Sequence, residues 1–215
     1  MITPVHIFFN NRESVIPENS EWEKFEGHDS LRLALFAAES WRRQGWDPKF
    51  FNTRDMGPTE LSARWPFKRL SDKYPLDFYL WWYKVAELAG NGAWFSTIDV
   101  FNFNFKPEHV SGIYNAAAME SGCLILQKST FSYSCFWCDS DWAWQAICLL
   151  LAFEDGRIDV PPCDLISDEH VLRNHAAWGQ FGIMAFMYAE TDWQTAPLLH
   201  LSRSCLQHPV RDGVV

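Results

Sequence analysis

The stretch Gly90-Asn-Gly-Ala-Trp-Phe-Ser-Thr-Ile-Asp-Val100 decides how this chain is read. The run Leu76–Leu88 before it has helical length, and the glycines make a turn. The apolar segment Ala93–Ile98 then reads as a buried strand ending on the single acid Asp99. Open α/β sheets bind ligands beyond the carboxyl ends of their strands. A carboxylate there can hold a divalent cation, and the cation can hold a diphosphate. An aspartate after a short strand serves equally well as a turn or helix cap, and the local pattern leaves both roles open.

Upstream, Val5–Phe9 is a β-rich run ending on Asn10-Asn11. Asp29-Ser30 fits the N-cap of a helix over Leu31–Gln44, closed by Gly45. Its apolar positions Leu31, Leu35, Ala38 and Trp41 share one face. After the turn at Asp47-Pro48, Lys49–Thr53 reads as a second strand. This β-α-β opening predicts a parallel sheet. Downstream, Phe101–Phe105 alternates as a half-buried strand or extended loop would. Gly122–Gln127 reads as a fourth strand, and Ser140 or Asp141 as the cap of a helix reaching Phe153. Asp164–Gln180 is predicted helical, Gly182–Tyr188 is strand or helix, and Pro197–Leu201 is a last apolar run.

Composition narrows the function classes. With 215 residues, 48% of them apolar, the chain is long enough for one domain with a sizeable core. The formal net charge is −9 and the basic residues are scattered, which disfavours a protein that grips a nucleic-acid backbone. The start of the sequence has no secretory pattern, and the longest apolar run, Ala143–Phe153, is too short to span a bilayer. A soluble, cytoplasmic protein is expected. Its six cysteines are then expected as free thiols. Cys135-Phe-Trp-Cys138 has zinc or redox spacing, but no second such pair accompanies it. His170 and His175 have a permissible spacing for the missing ligands. Among the twelve tryptophans, Trp81, Trp82, Trp94, Trp137, Trp142 and Trp144 flank the candidate cleft segments. They suit either core packing or sugar stacking. No GxGxxG, P-loop, HExxH or GxSxG pattern occurs.

From Phe78 to Val100 the chain resembles the sugar-nucleotide region of GT-A fold glycosyltransferases, particularly the retaining type with a DxD motif. The residues that carry the likeness are Lys84 on the helix, Gly92-Ala93, Trp94-Phe95 and Thr97-Ile98-Asp99-Val100. Leu198-Leu-His200-Leu-Ser resembles the late strand of that family, whose histidine completes a metal site. The resemblance implies an α/β, GT-A-like (Rossmann-like) fold with a mostly parallel central sheet flanked by helices. It implies a single domain over 1–215, with a nucleotide-sugar half at 1–105 and an acceptor half at 106–215. It further implies transfer of a sugar from a nucleoside diphosphate sugar to a hydroxyl acceptor, with retention.

Within that frame Asp99 and His200 are the expected ligands of Mn²⁺ or Mg²⁺. Phe9, Asn10 and Thr53 would touch base and ribose, Lys84 would face the phosphates, and Asn102 would bind donor-sugar hydroxyls. Asp139 and Asp141, beside Trp137, Trp142 and Trp144, would act on the acceptor side. Helix capping is the competing role for that pair. One departure stands out: Thr97, also expected among the donor-binding residues, occupies the first acidic position of the motif. A single carboxylate plus a diphosphate can still hold a hard cation, though more weakly than two. A non-catalytic sugar- or nucleotide-binding domain is the alternative function, and a zinc-stabilised interaction module around Cys135 and Cys138 a third.

Overall fold

The structure is a computed structural model that describes residues 3–10, 28–72, 74–109, 123–125, 134–163, 166–175 and 198–200. In chain order the elements are β1 (Thr3–Phe8), α1 (His28–Arg43), β2 (Trp46–Phe51), α2 (Asp77–Ala89), β3 (Ala93–Thr97), β4 (Val100–Asn102), β5 (Cys123–Ile125), β6 (Cys135–Cys138), α3 (Ser140–Glu154), α4 (Asp168–His175) and β7 (Leu198–His200). The main sheet has the order β2-β1-β3-β6-β5, and β4 pairs with β7 in a separate two-stranded sheet. β1 runs parallel to both β2 and β3. β6 is antiparallel to β3 and to β5, so four of the five strands share one direction. The protein is therefore α/β with a mixed, mostly parallel sheet. No helix among the described residues is long and apolar enough to cross a membrane.

The strand period of two sorts the core. Val5, Ile7, Trp94, Cys135 and Trp137 pack on one face with Ala38 and Trp41 of α1. Phe8, Phe51, Phe95, Phe136 and Cys138 pack on the other with α2, α3 and α4. Central β3 has no polar face, as expected for a strand covered on both sides. Trp81, Trp82, Trp94, Trp137 and Trp142 are all buried, and only Trp144 of the cleft candidates is half-exposed. These tryptophans fill the core.

Gly92 shows how tightly the layers fit. It has φ +133°, and a Cβ there would lie 2.0 Å from the Trp137 ring. The turn into β3 therefore requires glycine on both backbone and packing grounds.

Several expectations change in the fold. α1 begins at His28, so Asp29 and Ser30 lie inside its first turn. Leu31 and Leu35 are exposed; Ala34, Ala37, Ala38 and Trp41 form the buried stripe. The small alanines let the helix axis approach the sheet, while Trp41 fills the remaining depth and its indole donates to Val100 O at 3.4 Å. β2 starts at Trp46 and includes Pro48. An edge strand tolerates proline because one side of its backbone needs no ladder bond. Cys135-Phe-Trp-Cys138 is a buried strand, which sends Cys135 and Cys138 to opposite faces of the sheet. They cannot ligate one ion or form a disulfide with each other. Both are free thiols, and burial pushes the Cys135 pKa up. The helix expected over Asp164–Gln180 is present as α4 at Asp168–His175; Gly182–Tyr188 lies outside the described residues.

Candidate functional site at the strand tips

The chain leaves β1 through α1 toward β2 and enters β3 through α2, and these helices cover opposite faces of the sheet. The strand order thus reverses between β1 and β3. Such a switch point opens a crevice beyond the strand carboxyl ends, where α/β proteins place ligands. The residues that emerge there are Phe9 and Asn10 after β1, Asn52 and Thr53 after β2, and Ile98 and Asp99 after β3.

Two hydrogen-bonded groups occupy these tips. In the first, the Asn10 side chain donates Nδ2–H to Thr53 Oγ1 at 3.2 Å and accepts from the Thr53 amide at 3.3 Å. Thr53 is buried, and its hydroxyl donates to Asp77 Oδ1 at 2.6 Å. Asp77 stands in the first turn of α2, where a carboxylate is favoured by the exposed helix amides. The group ties the ends of β1 and β2 to the start of α2. Asp77 was missed in the sequence. Its visible signal was an acid opening a helix, just after Pro75-Leu76, which reads locally as an ordinary first-turn residue.

In the second group, Thr97 closes β3. Its amide donates to Ser134 O at 2.9 Å, extending the pairing toward β6. Its hydroxyl donates to Asp99 Oδ1. Val100 follows directly and pairs with His200 in the register of β4 and β7. The backbone of the expected histidine is therefore next to the expected carboxylate. The nearby Phe9 amide donates to Phe51 O at 3.0 Å, and the Phe9 ring lies 5.8 Å from Phe50. This gives the β1–β2 tip an apolar wall.

Other candidates fall elsewhere. Lys84 is in the second half of α2, paired with Glu87 at 2.7 Å, away from the helix end that meets Thr53. Asn102 is buried and uses its amide on Phe105 O at 2.7 Å and Phe105 N at 2.8 Å. It closes a turn, and its burial there keeps the amide away from any sugar hydroxyl.

Asp139 is the N-cap of α3 and accepts from Trp142 N at 2.8 Å. Asp141 follows in the first turn, exposed. Cys138 pairs with Ala93 at the beginning of β3, which puts these two acids at the opposite edge of the sheet from Asp99. A strand of this length separates them by about 13 Å. The antiparallel entry of β6 is the physical reason. The three acids do not form one catalytic group.

Among the described residues no cluster of three or more His, Cys, Asp or Glu stands ready to hold a metal by itself. Asp99, at the end of β3, is a half-buried carboxylate that accepts from the Thr97 hydroxyl. No family model matches the chain, and no curated protein or solved structure shows significant similarity to it.

Proposed function

We propose that the protein is a glycosyltransferase that takes its donor, a nucleoside diphosphate sugar, into the crevice between β1 and β3 and passes the sugar to a hydroxyl acceptor with retention of configuration. The observation that carries this reading is the convergence of Asn10 and Asp99 on the switch point of the sheet. The sequence likeness over Phe78–Val100 supplies the substrate class. Asn10 and Thr53 line the nucleoside side, with Phe9 and Phe50 offering ring surface. Asp99, with His200 beside it in backbone register, is the residue to hold Mn²⁺ or Mg²⁺. An ion bound there supplies neutralisation of the charge that develops on the departing nucleoside diphosphate. Thr97 and the β3–β6 ladder hold Asp99 in place before the donor enters. The acceptor faces the same strand tips, so an acid that assists it is not Asp139 or Asp141.

A second reading is a domain that binds a nucleotide sugar without turnover. Thr97 favours it, because the protein places a hydroxyl where the related motif has a metal-binding acid.

Thermal stability against a panel of nucleoside diphosphates and their sugars, with and without Mn²⁺, tests both. Ligand binding to the folded state raises Tm by mass action. A Mn²⁺-dependent rise for one nucleotide, with slow release of nucleoside diphosphate from its sugar and loss of both in Asp99→Ala, is the expected result. A rise without turnover selects the binding domain. No rise with any nucleotide overturns both readings.

A further inference from the structure

Asp168 is the first residue of α4 and is only 4% exposed. Trp82 Nε1 donates to its Oδ2 at 2.9 Å, and the amide of Glu169 donates as well. The buried Trp81 indole, which has no other acceptor among the described residues, faces the same carboxyl. All three donors are neutral. The titratable groups that share these surroundings are acids: Tyr79 on α2, Glu154 on α3, Asp72 and Tyr74 before α2, and Glu169 on α4 itself. The basic residues Arg173 and His175 lie in the last turn of α4, and Arg173 is exposed. Ionising Asp168 therefore puts a charge in the core with no cation against it among the described residues. That is costly unless the group moves into water.

With eight residues, α4 is too short to persist as a helix by itself. Val171 and Leu172, both fully buried, join it to the core of α2 and α3, and the Asp168 carboxyl is its third anchor. Just before the helix, Ile166 O accepts from the Ser71 amide at 2.8 Å and the Tyr79 hydroxyl at 3.3 Å. On the outer side, His170 Nε2 meets Pro161 O at 2.9 Å and His175 Nε2 meets Asp159 O. An imidazole can donate to a carbonyl whether neutral or protonated, so these two bonds tether α4 to the 159–161 segment at either charge. We infer that α4 is a pH-released cover over α2 and α3: it is seated while Asp168 is a neutral acid, and it leaves the core, still tethered, when Asp168 ionises.

Burial raises the pKa of Asp168 from 3.8 to about 7 in the seated helix, whereas a carboxyl released into water titrates at its ordinary value. Seating is thus fully favoured below about pH 4, weakens as pH rises toward about 7, and levels off above it. Hydrogen exchange of the α4 amides in the whole protein, corrected for the intrinsic effect of pH, reads the release directly. The α4 opening constant is expected to rise about tenfold per pH unit between about pH 4.5 and about pH 6.5. The amides of β3, at the centre of the sheet, should open far less often at every pH. Asp168→Asn keeps an acceptor for the indoles and cannot ionise. Its α4 opening constant should stay flat across that range.

A wild-type α4 opening constant that does not change with pH overturns the inference, whether or not the variant folds. A slope that persists in Asp168→Asn assigns the effect to another group and also overturns it. Equal opening constants for α4 and β3 mean that both exchange only through global unfolding, which overturns a separate release of α4. The nucleotide-sugar reading uses no residue of α4 and stands or falls by its own test.

Discussion

The acids of the helical layer and the acids at the strand tips are held in different ways. Glu154, at the end of α3, is buried and accepts from the amides of Lys68, Arg69 and Leu70. Asp168 is buried at the start of α4 and accepts from Trp82 Nε1 at 2.9 Å. Asp139 caps α3. Each is bound by backbone or indole donors belonging to the core. Asp77 and Asp99 instead accept from threonine hydroxyls, Thr53 and Thr97, and both remain half-exposed at the crevice. A carboxylate that satisfies several backbone amides is part of the fold's own hydrogen bonding. One that accepts from a threonine hydroxyl at the strand tips is held at the rim of the sheet instead of inside the core.

Removing Glu154 should break the helical layer most. Glu154→Ala leaves three amides of the 68–70 segment without their acceptor, and a loss of about 3–5 kcal/mol is expected in chemical denaturation. A loss below about 1 kcal/mol would remove the contrast from its strongest member.

Asp168 gives a pH signature of similar origin. Burial, then the nearby Glu169 charge, raise its pKa to about 7, while the Trp82 hydrogen bond opposes them. Because the folded pKa lies above the unfolded value of 3.8, its contribution is fully present below about pH 4 and is lost as pH rises toward about 7. The stability difference between wild type and Asp168→Asn should therefore shift by roughly 3–4 kcal/mol between pH 4 and pH 8, against the wild type at the higher pH. A pH-independent difference would show that Asp168 is ionised in the core throughout.

Asp139→Ala should cost about 1 kcal/mol through loss of the α3 cap, with no effect on nucleotide-dependent stabilisation. Loss of that stabilisation would return Asp139 to the ligand site. Asp99→Ala should change stability least, by less than about 1 kcal/mol, while removing the Mn²⁺-dependent rise in Tm. If it destabilises as strongly as Glu154→Ala, the tip acids are structural too and the comparison collapses.

Much of the fold was legible because local rules and tertiary packing agree there. The α2 and β3 boundaries expected at Leu76–Leu88 and Ala93–Ile98 are found at Asp77–Ala89 and Ala93–Thr97; α3 was expected to reach Phe153 and ends at Glu154. Gly45, with φ +89°, closes α1 as expected. The α1 face was misread because hydrophobicity alone favours leucine, whereas close approach to the sheet selects alanine. The Cys135–Cys138 spacing misled because it says nothing of conformation: on a helix or turn the two thiols can meet, on a strand they diverge.

By itself the sequence determined the α/β alternation, the turn glycines and the placing of Asn10, Thr53 and Asp99 at strand ends, since these depend on neighbours close in the chain. Only the tertiary structure decided which acids share an edge of the sheet. Strand direction is a property of pairing between distant segments, and the antiparallel entry of β6 carries Asp139 and Asp141 away from Asp99. The same long-range pairing brings Asn10, Thr53 and Asp77 into one hydrogen-bonded group.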